Sequence, residues 1–116
     1  MSRRLPRSDR AYLGDILDAC QKLMSLSAGT NSEAFSENWV THHAAFSLLE
    51  LVGEASGRPS QDFRDQYTSI PWAAMRGMRN VLIHGYADVQ LEAVWETLER
   101  DIPELHRQIS TLLREE

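Results

Sequence analysis

A chain of 116 residues, 42% apolar and 25% charged, has the composition of one globular domain and not of a disordered tail. Its formal net charge of −5 argues against general affinity for a polyanion, so any RNA contact has to be local. No apolar stretch approaches the roughly 18 residues of a membrane span, the basic opening at Arg3 and Arg4 leads into no apolar signal core, and the single Cys20 has no intramolecular partner; a reducing cytoplasm is the expected compartment.

Leu13, Ile16, Leu17, Cys20, Leu23 and Met24 recur at three and four residues, which predicts a first helix with Ser8 as its N-cap and Gly29 as its stop. Thr30, with Glu33 three residues on, has the capping-box pattern and opens a second helix. That helix carries Phe35, Trp39, Phe46, Leu49 and Val52 inward as far as Gly57, where Arg58-Pro59 ends it. Residues 60–70 lack sustained periodicity and read as a connection containing a short helical turn. Pro71 suits the first turn of a third main helix, with Trp72, Met75, Val81 and Leu82 as its apolar contacts and fraying expected near Gly85. Asp88 is the expected cap of the last helix, whose inner face is Leu91, Val94, Trp95, Leu98, Ile102, Leu105, Ile109 and Leu112. Pro103 should kink that helix or restart it after Asp101. No segment shows the strict alternation of a hairpin strand. The expected fold is all-α, an antiparallel bundle of four to five helices forming one domain over residues 1–116, with a radius of gyration of about 13 Å.

The densest chemical grouping is residues 79–86, Arg-Asn-Val-Leu-Ile-His-Gly-Tyr. Arginine offers a planar fork of donors matched to phosphate, and histidine exchanges protons near neutrality. Together they suit cleavage of RNA, whose 2′-hydroxyl attacks its own phosphate once a base or acid and a stabiliser of the developing charge are supplied. On an ideal helix, however, five residues turn His84 about 140° away from Arg79. Convergence then requires unwinding near Gly85, or completion of the site by the same segment of a second subunit in a two-fold dimer. The plainer reading makes Arg79 and Asn80 bridges between helix ends and His84 a residue interacting with the helix dipole. Taken alone, these residues favour it. Arg58, Arg64, Arg76 and Arg79 lie in the middle third, where they can form a cationic patch despite the acidic total.

Other groupings carry less. His42 and His43 point about 100° apart on a helix, with no ligand at metal spacing beside them, so no metal site is expected. Glu50 and Glu54 lie four apart, as on a solvated face or in a salt bridge to arginine, and Glu54 is placed to anchor Arg79 from the neighbouring helix. Trp39, Trp72 and Trp95 are assigned to the core, with base stacking as the minor reading. There is no glycine-rich phosphate loop, and no cofactor is expected; if ATP is involved, a partner supplies its pocket.

The pattern Arg79-x4-His84-x-Tyr86 resembles the signature of the HEPN superfamily, and specifically of the HepT-like ribonuclease toxins. The Ile16-Leu17-Asp18-Ala19 region, Gly53-Glu54-Ala55, Ile70-Pro71-Trp72, Gly77-Met78-Arg79-Asn80, Val94-Trp95 and Asp101-Ile102-Pro103 resemble that family in the same order, from Asp9 to Leu113. The likeness turns the balance toward catalysis. It implies a HEPN-like homodimer, the toxin of a type VII-like toxin–antitoxin pair, acting as a metal-independent ribonuclease. The implied partner is a minimal nucleotidyltransferase antitoxin of the MntA kind. Carried over by residue, Arg79 and His84 are the catalytic pair and Asn80 supports them; Glu54 and Arg76, read from their positions in this sequence, are expected to stand around the pair. Tyr86 is the implied acceptor of AMP, which silences the toxin by blocking the cleft and repelling the RNA backbone. The alternative is a noncatalytic HEPN module that docks a nucleotidyltransferase or a nucleotide. The intact Arg79, His84 and Tyr86 argue against it.

Overall fold

The structure, a computed structural model, describes residues 7–84 and 90–115, with the backbone alone for residues 78 and 80–84. In chain order the elements are α1 (Arg7–Ser27), α2 (Ser32–Glu37), α3 (Trp39–Ser56), α4 (Gln61–Gln66), α5 (Trp72–His84), α6 (Leu91–Glu96), a π-helical turn (Thr97–Asp101) and α7 (Ile102–Glu115). Among the described residues there is no strand, and no helix is long and apolar enough to cross a membrane. The expected all-α bundle is what the chain forms.

The centre of the bundle is α3, packed against α1 on one side and α5 on the other, with α7 closing on α1. The apolar stripe of α1 buries Leu13, Ile16, Cys20 and Leu23, and Gly29, at φ +75°, takes the left-handed conformation that ends it. Ser8 stands inside the first turn of α1 and is not its cap. The carboxylate of Asp9, one residue on, is buried and accepts hydrogen bonds from Ser60 N (3.1 Å) and Ser60 Oγ (3.4 Å), tying α1 to the start of α4.

The expected second helix is in fact two. Asn31, not Thr30, caps α2, accepting from Ala34 N at 2.9 Å. Asn38 then leaves helical geometry (φ −108°, ψ 94°), and its side chain accepts from Val40 N and Thr41 N to start α3 afresh. The break resets the helical phase. In one continuous helix Phe35 and Trp39 would share a face; here Phe35 is buried and Trp39 is 69% exposed, so the assignment of Trp39 to the core was wrong. His42 fills the inward position instead. Its Nε2 donates to the Phe35 carbonyl and its ring lies 5.2 Å from that of Phe35, which in turn meets Trp95 at 5.4 Å.

Pro71 sits one residue ahead of α5, where its carbonyl accepts from Met75 N at 3.1 Å. Asp88 and the fraying expected near Gly85 lie outside the described residues; Gln90 occupies the cap position of α6 without a side-chain bond. The disturbance expected at Pro103 takes the form of the π turn before it. Proline has no N–H to give and crowds the carbonyl four residues back, and the preceding turn widens so that Ile102 N reaches the Thr97 carbonyl. The inner face is otherwise as the periodicity predicts, from Val94 to Leu112, with Leu91 at its half-buried edge.

The radius of gyration is 14.6 Å and the extents are 51 × 30 × 19 Å, more elongated than expected. The shortest dimension is that of two helix layers. Within them Cys20 is fully buried, and its burial pushes the thiol pKa from 9.0 to about 12. Cys20 is therefore expected to resist iodoacetamide at pH 8 in the native protein and to react only on unfolding, as mass spectrometry would register. Because the folded state holds this proton more tightly, stability should fall as pH rises from about 9 toward 12.

Candidate active site

The groove that carries Arg79 exists because Gly53 on α3 lets α5 come close and Gly57, the residue that caps α3, leaves room for the Arg76 side chain. A Cβ on the buried Gly53 would stand 2.3 Å from the Arg79 Cβ and 2.9 Å from the Met75 carbonyl oxygen. Met75 anchors the inner side of α5 in the core, and Arg79 follows it by about one turn. One turn further along α3, the Arg76 guanidinium lies over Gly57, with Nη2 2.7 Å from where a Cβ would be. The open groove between them has a volume of about 370 Å³ and is lined by Gly53, Glu54, Gly57, Arg58, Arg76 and Arg79.

Its electrostatics are cationic within an acidic chain. Glu54 pairs with Arg58, Oε1 to Nη2 at 2.9 Å, both side chains more than half exposed. This is the salt bridge the four-residue spacing allows, and at that exposure it is worth at most a few tenths of a kcal/mol. Among the described residues Arg76 and Arg79 are in no ion pair. With the one carboxylate of the groove, Glu54, engaged by Arg58, these two guanidiniums favour a phosphate and stabilise charge developing on it.

Of the residues singled out in the sequence, Arg79, Arg76 and Glu54 line this one groove. The backbone of α5 is helical through Asn80 to His84, so positions 79 and 84 stay about 140° apart around the axis. The side chains of Asn80 and His84, and all of Tyr86, lie outside the described residues. What the sequence reading missed was the role of Gly53, which lets α5 lie close on α3, and of the capping Gly57 four residues on, which makes room for Arg76. The four arginines it grouped do form a patch: Arg58, Arg76 and Arg79 line this groove, and Arg64 joins Arg76 on the adjoining one. His42 and His43 belong to the opposite end of α3. Among the described residues no three His, Cys, Asp or Glu side chains form a metal-holding group.

Fold and groove together define a small all-α domain with an arginine-lined groove. Residues 16–112 match the family described as "Ribonuclease HepT-like", and the chain belongs to that family, in the HEPN superfamily. Membership makes it an enzyme of the ribonuclease class. Among its relatives, a protein of Caldanaerobacter subterraneus subsp. tengcongensis named "Putative RNase" is 36% identical over 95% of this chain and 98% of its own length. The "Probable ribonuclease HepT" of Thermococcus cleftensis is 36% identical over 87% and 92%. A "Putative RNase" of Methanocaldococcus jannaschii is 32% identical over 96% and 93%. No solved structure gives a significant match.

Proposed function

We propose that this ribonuclease is the toxin of a toxin–antitoxin pair and cleaves RNA without a metal ion, using Arg79 and His84. The observation that carries this reading is the groove in which Arg79 and Arg76, free of ion pairs among the described residues, sit on glycines of the neighbouring helix. Arg79 holds the scissile phosphate and stabilises the charge of the phosphorane. His84 moves the proton, taking it from the attacking 2′-hydroxyl or giving it to the leaving oxygen. Asn80 and Arg76 support the arginine, and Glu54, held by Arg58, keeps the rim of the groove ordered.

The active form is a two-fold dimer. A continuous helix from Arg79 to His84 supports this, because the two positions diverge on one copy and a second α5 supplies the missing group. The antitoxin is a minimal nucleotidyltransferase that silences the toxin by transferring AMP from ATP to the Tyr86 hydroxyl, with pyrophosphate leaving. The bulky anionic product then fills the cleft.

Two measurements test this. Purified protein in EDTA should cleave total cellular RNA or transfer RNA while His84→Ala does not. After incubation with the cognate nucleotidyltransferase and ATP, peptide mass spectrometry should find AMP on Tyr86 and cleavage should stop. AMP on another residue, or a fully active modified toxin, would refute the acceptor assignment.

A further inference from the structure

A second groove, between α4 and the first half of α5, adjoins the one that carries Arg79 and shares Arg76 with it. Its volume is about 650 Å³, within the range of sites that hold a nucleotide-sized ligand. Arg64, Thr68, Trp72 and Arg76 line it. Resting on the ribonuclease reading above, we propose that this groove is a subsite for a nucleotide flanking the cleaved bond. Its phosphate is held by Arg64 and Arg76 and its base lies on Trp72.

Four observations carry the assignment. Arg64 has cationic capacity unspent: among the described residues it is in no ion pair, and its Nη2 donates only to the neutral amide of Gln61, to Oε1 at 3.2 Å. The one carboxylate on the groove, Asp65, is itself engaged, accepting from Gln61 Nε2 at 2.8 Å.

Trp72 is held as a platform. Its Nε1 donates to the Tyr67 carbonyl at 3.0 Å, and its ring meets Phe63 edge-on with centroids 6.1 Å apart. The ring is half-buried, and its remaining surface borders the groove. Pinned aromatic rings of this kind stack bases without regard to sequence.

The register of α5 also fits. Trp72, Arg76 and Arg79 are spaced by four and three residues, which sets them along one face over about 10 Å, the reach of a dinucleotide. Finally, the surroundings give the strand a direction. On the other side of the Arg79 groove, between α1 and α3, a groove of about 380 Å³ carries three carboxylates, Asp15, Asp18 and Glu54, against one arginine, Arg58; Glu54 is paired with Arg58 and Asp18 with Lys22, and the acidic balance that remains disfavours phosphate there. An RNA chain seated on Arg79 therefore leaves toward Trp72.

The test is binding of a fluorescent single-stranded hexaribonucleotide to the cleavage-deficient His84→Ala protein, followed by anisotropy across a salt series. Added to that background, Arg64→Gln should weaken hexanucleotide binding several-fold and reduce the dependence of log K on log salt by about 0.7, one phosphate contact on a single strand. Trp72→Leu should weaken it about ten-fold and Trp72→Phe should restore it. Should Trp72→Leu lose its helical circular dichroism, Arg64→Gln, on the surface of α4, decides alone. Hexanucleotide binding unchanged in Arg64→Gln, with the same salt slope, while Arg79→Gln loses it, would overturn the subsite and leave the ribonuclease reading standing. A wild-type protein that neither binds nor cleaves RNA would overturn both.

Discussion

His84→Ala is expected to lower RNA cleavage by about 10²–10⁴-fold, the usual contribution of a positioned proton-transfer group, and Arg79→Gln by about 10²–10³-fold through loss of charge stabilisation. Arg79→Lys should recover only part of the loss, because an ammonium keeps the charge without the planar fork. The measurement is single-turnover cleavage of transfer RNA in EDTA, with far-UV circular dichroism to confirm folding. In a mixed dimer of Arg79→Gln and His84→Ala subunits, one composite site retains both wild-type groups if the pair acts across the dimer. Such heterodimers should regain roughly half the wild-type rate. If each site is built within one subunit, mixing restores nothing, and the dimeric part of the proposal fails. Should neither single variant alter the rate, residues 79 and 84 are not the catalytic pair.

Gly53→Ala should destabilise the fold by about 1–3 kcal/mol, the usual cost of forcing a methyl group into a packed contact, and should reduce cleavage because it pushes α5 away from α3. The sign makes this informative. On an open helix face the same change would stabilise by up to about 1 kcal/mol through helix propensity. Here the new Cβ would meet the Arg79 Cβ at 2.3 Å and the Met75 carbonyl at 2.9 Å, and neither is the free end of a flexible chain. Gly57→Ala offers the internal contrast, since its Cβ meets only the tip of the Arg76 side chain, which can swing aside. Gly57→Ala should therefore keep its thermal midpoint and weaken RNA binding, whereas Gly53→Ala should lower both. A raised midpoint for Gly53→Ala in a thermal melt would show that the helices do not meet as described.

The periodic apolar residues made α1, α5 and the C-terminal helices legible in the sequence, because burial alone decides which face of a long helix points inward. Asn38 was not legible in that way. Its side-chain capping of α3 is a local competition with the helix around it, and a search for periodicity reads through such a break. Trp39 followed it into error: hydrophobicity predicts burial only while the phase of the helix is known, and the phase changed at Asn38. The arginine patch was visible as a grouping in the sequence, but its division into two grooves was not. That division depends on Gly53 setting the approach of α5, on Gly57 leaving room for Arg76, and on Asp9 fixing Ser60 at the head of α4 from 51 residues away. The buried carboxylate of Asp9 carries no sequence signal that separates it from any acidic residue in a first helical turn.

The slab-like outline, 51 × 30 × 19 Å, makes the arrangement of a dimer readable from scattering of the protein in solution. Two slabs laid face to face keep a longest dimension near that of one chain and become thicker, whereas two joined end to end nearly double it. Small-angle profiles of the two would differ in maximum dimension far more than those of two spheres rearranged in the same way. The same anisotropy makes rotational diffusion direction-dependent, so relaxation of amides in helices along the long axis and across it would report which edges of the slab have been joined.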